Sequence, residues 1–514
     1  MSIATPRQID DGVRGVESRL LFEQRRRKQH MQEAWDAYRG VWQPPLKAEP
    51  NEPDDSVLLN RCAPIVDKGV SFLFGKIVGI EIAQEDGGAD GLDAMQAWLD
   101  DAWGDDDDKM TLLSKLALNG AVCGQAFLKI VPANPRAGQK YPRLVVLDPQ
   151  TVEVVTDPDD CDTVQQFCIE YDAWDAQSGA PLTKKQVIAR NDPDGLAALS
   201  GGLDSDDTWT ITNYARSGVN GAWQQMGAAQ TWPYPFAPIV ACQNMPNPNQ
   251  FWGKPDLTPD LIEMNRVLNF IESNVSRIIK KHAHPWPWAS GVDTRSLKIE
   301  PGRVIGLPLP ESKMGFLEIS AAGLAGSMQF ASDLRSDMDE QSRVPAVALG
   351  RMSDLPRGAI SGVALQLLFQ PLIEKTVQKQ RLYGRLVRDV SKAMLAIGGF
   401  PLDTLSDLDI NLNWQNLLPV DDLAAAQTAL ALSQIGVSRA TLLSQLGYDP
   451  DAEDAKQAEA DAKQVTNFAQ GKGLPPGPPP PSVDATQTSP QQQPTEQGSE
   501  AAQTNQAQAA TGKA

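Results

Sequence analysis

The sequence predicts an α+β fold, and three observations predict it. Four stretches of helical periodicity come first, around Val16 to Tyr38, Ala63 to Val78, Leu92 to Trp103 and Thr111 to Val122. A block of β-rich patches follows: RLVVLDP, TVEVVTDP, VQQFCIEY and TWTITNY. Residues 256 to 398 then carry three long apolar-periodic stretches. Helices and strands that segregate along the chain, rather than alternate, point to α+β.

With 514 residues the chain has room for two to four folding units. Apolar residues make up 41% and charged residues 22%, which fits a folded protein and argues against wholesale disorder. No apolar run approaches the ~18 residues of a membrane span.

Within residues 1 to 250 the pairs Asp148-Pro149 and Asp157-Pro158 bracket one short strand, as turn signals do. Thr258-Pro259-Asp260 then starts a helix, with an N-cap hydroxyl, Pro at the first helical position and an acid in the first turn. Leu261, Met264, Leu268, Ile271, Val275 and Ile278 recur every three or four residues, the seam of a helix packed lengthwise on another. Running to about His282, this helix spans ~36 Å at 1.5 Å per residue. A second stretch, Ala321 to Arg343, places Leu324, Met328, Ala331 and Met338 on one face and spans ~34 Å by the same rise.

Between these matched helices lies a Pro-punctuated insert, in which Leu297 to Glu300 and Arg303 to Leu307 flank Pro301-Gly302 as a hairpin would. After Arg343 comes a Pro/Gly-broken loop, and then a third helical stretch from about Ser361 to Ala396. Pro371 interrupts it, so a kink or two abutting helices is expected. This stretch carries Lys375, Lys379, Arg381, Arg385, Arg388 and Lys392 against Glu374 and Asp389, a basic face with a local excess of four positive charges. Residues 400 to 420 hold a short strand signal, DINLNW, and 421 to 466 two or three Ala/Leu-rich helices. From 467 to 514 the chain is Pro/Gln/Ala/Thr/Ser-rich with little to bury, and reads as a disordered tail. Its Pro475 to Pro481 run reads as a semi-rigid spacer, with a polyproline ligand as the alternative.

Charge narrows function. Lys plus Arg is 46 and Asp plus Glu is 65, a net −19 that disfavours general adhesion to nucleic acid. The five cysteines (Cys62, Cys123, Cys161, Cys168, Cys242) have neither CxxC spacing nor a His partner, and the N-terminus lacks a basic then apolar leader. Both features point to an unprocessed chain made in a reducing cytoplasm.

Catalysis finds no motif. There is no GxxxxGK[ST] to cradle phosphates, and no GxSxG, HExxH or activated-cysteine context. His282-Ala283-His284 reads as ordinary helix C-terminal histidine, and Asp105 to Asp108 as a solvated acidic turn without EF-hand spacing. The expectation is a non-enzyme with no catalytic residue, cofactor or metal. Trp286 and Trp288, in PWPW, read as packing in the β-insert, with base stacking or a partner contact as alternatives.

Three phrases and one order of elements resemble a known family, the portal proteins of tailed double-stranded DNA bacteriophages, particularly the long-tailed type. The phrases are LLNRCAPIVDKGVSFLFGKIVGI, LLSKLALNGAVCGQAFLKI and DMDEQSRVPAVALGRMSDLPRGAISGVALQLLFQPLIEKTVQKQ; the order is helix, β-module, helix, loop, long helix. The likeness covers most of residues 14 to 466. It implies a portal fold: a wing over 1–255 and 399–420, stem helices over 256–284 and 321–343, a small β-rich clip over 285–320, a tunnel loop over 344–360, a kinked tunnel helix over 361–398 and a helical crown over 421–466.

In function the resemblance implies a ring of about twelve subunits at one capsid vertex, a form of closed cyclic symmetry, that conducts DNA during packaging and ejection. Implied partners are double-stranded DNA, the packaging motor (terminase), capsid and scaffold proteins and head-completion adaptors. The implied location is the virion, with assembly in the host cytoplasm. Arg351, Arg357, Lys375 and Lys379 become candidates for the DNA channel, and Trp286 and Trp288 for clip contacts. The basic face of the third helix reads as a solvated or salt-bridged flank between subunits, with a weak phosphate-contacting surface as the alternative. Competing readings are another structural head protein or adaptor, which would lack the helix hairpin followed by a long kinked helix, and a packaging hydrolase or nuclease, which would show clustered carboxylates or a phosphate loop.

Overall fold

The computed structural model describes residues 13–47, 54–83, 89–134, 136, 138–157, 159–175, 179–191, 208–218, 221–283, 287–291, 310–316, 321–351, 362–406, 408–418, 430–434, 436–439, 442–443 and 456–457. The chain divides into two compact units, Met1–Pro419 and Val420–Ala514. In the second, Ser433 Oγ donates to Leu430 O and Leu442 is buried. Most of the helices expected over 421–466, and all of the tail, lie outside the described residues.

The first unit mixes helix and strand, compatible with α+β. Its four leading helices are α1 (Val13–Arg39), α2 (Cys62–Phe74), α3 (Ala89–Trp103) and α4 (Asp106–Cys123). α2 stops short of the expected Val78: the chain turns at Gly75 and enters a short strand, β1 (Val78–Ile82), which the periodicity had absorbed into the helix. Asp105 caps α4, its carboxylate accepting from Asp108 N at 2.8 Å, so the Asp run serves a helix start. Gly124 ends α4 at φ +84°, and a Cβ there would lie 2.5 Å from Gly253 O, so only glycine fits.

The strands follow as β2 (Gln125–Val131), β3 (Arg143–Leu147), β4 (Val152–Thr156), β5 (Val164–Trp174), β6 (Pro181–Arg190), β7 (Trp209–Ser217), β8 (Gln224–Gln225), β9 (Gln230–Trp232) and β10 (Ile239–Gln243). β4 to β8 form an antiparallel meander with β9 also on β7, and β10-β2-β3 forms a second sheet. β2, β6 and β10 carried no strand expectation.

The long helices are α5 (Pro259–Ala283), α6 (Ala321–Ser342) and α7 (Gly362–Ile397), close to their expected bounds. α5 and α6 pack along one another. Between them β11 (Pro287–Ser290) pairs antiparallel with β12 (Lys313–Phe316). The hairpin expected over 297–307 lies outside the described residues. α7 is one continuous helix with Pro371 inside it, so of the two expectations, a kink or two abutting helices, the second does not hold. Pro371 and Leu367 both sit on the exposed face, where water can satisfy the carbonyl that loses its donor. After the short α8 (Leu402–Ser406), β13 (Ile410–Trp414) pairs with β1, with Ile80 opposite Leu412.

α7 is the axis of the largest core. Tyr383, Leu386, Val387, Val390, Met394 and Leu395 are all buried on it, against α2, α3 and the β1-β13 pair. Each such aliphatic side chain contributes about 1.5–3 kcal/mol on burial. A second core joins α1, α2, α4, α5 and α6, and a third lies under the large sheet.

Candidate functional site

The region around the start of α5 and the faces of α6 and α7 gathers most of the buried polar side chains of the first unit. Three constructions build it.

The first is a ladder between α5 and the extended segment before α2. Asn265, Asn269 and Ser273, four residues apart and all buried, meet alternate backbone groups of residues 57 to 61. Arg61 N donates to Asn265 Oδ1 (2.9 Å), Leu59 N to Asn269 Oδ1 (2.9 Å) and Val57 N to Ser273 Oγ (2.8 Å). Asn265 Nδ2 returns a bond to Leu59 O at 2.8 Å. One rung further, Arg277 pairs with Asp55. The match is geometric: four helical residues rise about 6.0 Å and two extended residues about 6.6 Å, so each helical turn meets every second backbone amide.

The second is a buried ion triad. Asp256, in the loop before α5, has a side chain 1% exposed; Lys379 Nζ lies 2.5 Å from its Oδ2 and Lys375 Nζ 3.2 Å from its Oδ1. Asn244 Nδ2 donates to Asp256 Oδ1 at 3.1 Å, and Tyr383 OH to Asn244 Oδ1 at 3.2 Å. Lys375 Nζ also donates to Ser342 O, the last carbonyl of α6, at 3.0 Å. α7 is therefore tied to the end of α6 and the entry of α5 by charge. Burial opposes ionisation of Asp256, but the two ammonium groups outweigh it and hold the carboxyl well below its ordinary range. Burial lowers Lys379 from 10.5 to about 8, against the pull of Asp256. α7 also approaches α4 closely: a Cβ on Gly120 would meet the Tyr383 hydroxyl at 1.9 Å.

The third is an arginine group at the end of α6. Arg335 pairs with Glu272 of α5, and Arg351 with Asp339 of α6, while Arg61 stands beside them.

The candidates read from the sequence are thus placed as follows. Lys375 and Lys379, expected on a basic outer face, turn inward on α7, because the i, i+4 stripe they share with Tyr383 faces Asp256. Arg381 and Arg385 remain exposed. Arg351 lies just after a 3-10 turn, Ala346–Leu349, with its guanidinium drawn to Asp339. Trp288 lies on β11 across from Gly315, where a Cβ would touch its indole at 3.0 Å, so it packs over its β12 partner while remaining 43% exposed. Arg357 and Trp286 lie outside the described residues. The sequence reading missed the ladder, Asp256 and the arginine group; a polar stripe at 265, 269 and 273 beside the apolar seam was the available signal.

Among the described residues, Asp160, Cys161 and Asp162 alone have side-chain donors close enough together to hold a metal, and they sit in a turn with both carboxylates exposed, Asp160 accepting from Thr163 Oγ1 and Asp162 N. The five thiols are free, and burial pushes Cys62 and Cys123 up to about 12, leaving them protonated and inert. No helix among the described residues is long and apolar enough to cross a membrane.

No curated protein matches the chain. The family model described as phage portal protein, SPP1 Gp6-like, matches residues 311–467. That span takes in β12, α6, the loop after it, α7, α8 and β13, and so includes both lysines of the triad and two of the three arginines. This match supports a phage portal protein, in line with the portal family that the sequence phrases resemble.

Proposed function

We propose that the chain is a structural subunit of a phage portal, assembling into a closed ring of about twelve copies at one capsid vertex and conducting double-stranded DNA through the ring axis during packaging and ejection. The observation that carries this reading is the family match over residues 311–467, which falls on the α6, loop and α7 sequence. The α5, β11-β12, α6 hairpin that precedes α7 fits a stem with a small β-module at its tip. In this reading residues 285–320 face the packaging motor and later the head-completion proteins, with Trp286 and Trp288 as contacts, and the capsid shell and scaffold surround the wing.

An acidic chain suits a conduit. A wall that gripped phosphates through many basic side chains would release counterions and hold DNA tightly, whereas a net charge of −19 per subunit leaves a low-adhesion surface. Within the channel, transient contact falls to Arg357, since Lys375 and Lys379 are engaged inside the subunit with Asp256 and Arg351 with Asp339. Chemistry on the DNA is assigned to the motor, not to this chain. End-on electron micrographs of the purified full chain test the reading: closed rings with an open centre are expected, and monomers or dimers alone across a wide range of concentration and salt would overturn it.

A further inference from the structure

Three guanidinium groups, of Arg61, Arg335 and Arg351, converge on a cavity of about 100 Å³ between the entry of α2, the last turns of α6 and the turn that follows. Ile65, Met338 and Leu349 give it apolar walls. Glu272 takes Arg335 and Asp339 takes Arg351. Among the described residues no carboxylate pairs with Arg61. Among the described residues three cations thus stand against two anions, and the group is half-buried: the Arg335 and Arg351 side chains are 31% and 25% exposed.

A second observation points the same way. The Nε atoms of Arg335 and Arg351 are buried and have no acceptor among the described residues. Burial, and then the neighbouring charges of Arg335 and Arg351, push Arg61 down from 12.5, yet a guanidinium stays charged in proteins. Asp339 draws on Arg61 as well as Arg351, so one carboxylate serves two guanidinium groups; a half-buried cation with orphaned donors beside it is costly, and a planar fork is shaped to take an oxyanion in bidentate fashion.

Size and charge choose the occupant. About 100 Å³ holds a few waters, room for one carboxylate or phosphate head. A phosphate on a stiff duplex cannot leave its backbone to enter a recess with apolar walls, whereas a side chain on a neighbouring surface can. The chain itself carries 65 acidic residues against 46 basic ones, so a second copy is an abundant source of carboxylates. We infer that the Arg61–Arg335–Arg351 pocket receives an Asp or Glu side chain from a second copy of this chain. This rests on the reading that copies assemble side by side, and adds to it a charged key between them.

The test uses the full chain. Particle mass is followed against concentration for the wild type, Arg61→Glu, Arg61→Gln and Arg61→Lys, with thermal melts confirming that each variant folds. Charge reversal should raise the concentration for half-assembly by roughly tenfold or more, Gln less, and Lys least. A benzophenone amino acid at position 61 should crosslink to an Asp- or Glu-containing peptide of another copy. Assembly of Arg61→Glu at the wild-type concentration, or crosslinks confined to one chain, overturns the inference and leaves the portal reading standing. Normal assembly with loss of binding to a short DNA duplex makes the occupant a phosphate and overturns it equally. A wild type that never assembles overturns both.

Discussion

Replacing Asp256 by Asn is the sharpest test of how α7 is held. The carboxylate is 1% exposed and faces two ammonium groups whose side chains are 7% and 4% exposed, so the triad carries a net +1 in the interior. Asp256→Asn raises this to +2 with no counter-charge, and losing one partner of a buried pair costs about 3–5 kcal/mol. Lys379→Met, by contrast, keeps the stem volume and lowers the net charge from +1 to zero, leaving the Lys375–Asp256 pair neutral. It should cost less, because the charge left buried is compensated. Hydrogen exchange read on α7 peptides by mass spectrometry measures the local opening free energy without assuming two-state unfolding. Asp256→Asn should speed exchange in the Gln370 to Val390 region by roughly 10²- to 4 × 10³-fold, at 1.4 kcal/mol per decade. If Lys379→Met is as damaging as Asp256→Asn, or if Asp256→Asn exchanges like wild type, the electrostatic account fails and α7 is held by apolar packing alone.

Four further outcomes follow from the same geometry. Because Asp256 is held below its ordinary 3.8, its stabilisation is present above that value and lost as pH falls toward its lowered pKa; acid melts should show this loss in wild type and not in Asp256→Asn. Lys379, lowered from 10.5 to about 8, binds its proton less well folded than unfolded, so its contribution to stability should rise between pH 8 and 10.5, a rise absent in Lys379→Met. Gly120→Ala drives a methyl into the Tyr383 hydroxyl and should destabilise by about 1–3 kcal/mol, with Tyr383→Phe added to it restoring part of the loss in a double-mutant cycle. Asn269→Ala strands the Leu59 amide and should cost about 1–3 kcal/mol, detected as faster exchange at Leu59.

The extent to which the site was legible follows from distance along the chain. The α5 seam, the Thr258-Pro259 start and the bounds of α6 are local signals, and the hydroxyl of Thr258 does face Leu261 N, at 3.4 Å. β1 is five residues long, and its partner β13 lies more than 300 residues on, so its VGIEI alternation was outweighed by the helical pattern just before it. Asn265, Asn269 and Ser273 carry no local sign of burial, because only the segment at 57–61, about 200 residues earlier, makes them interior. Lys375 and Lys379 read as a basic flank for the same reason: their partner is more than 100 residues upstream. Local spacing reports which residues share a face, and only a distant partner decides whether that face is wet.

The two cationic groups near α6 differ in a way that separates interior from surface roles. The lysine pair shares one carboxylate, Lys375 also reaches the carbonyl of Ser342, and the carboxylate also accepts from Asn244; both ammonium groups are engaged within the subunit. Among the described residues the arginines have two carboxylates among three and two Nε atoms without an acceptor, and they line a recess that opens beside exposed Pro64. A satisfied buried network fixes one packing, while an unsatisfied cationic recess stabilises whatever anion enters it. Since Ser342 and Arg351 lie only nine residues apart, the lysines set where α6 ends and hence where Arg351 is presented, so a change at Asp256 should reach the arginine recess through the turn at Ala346–Leu349.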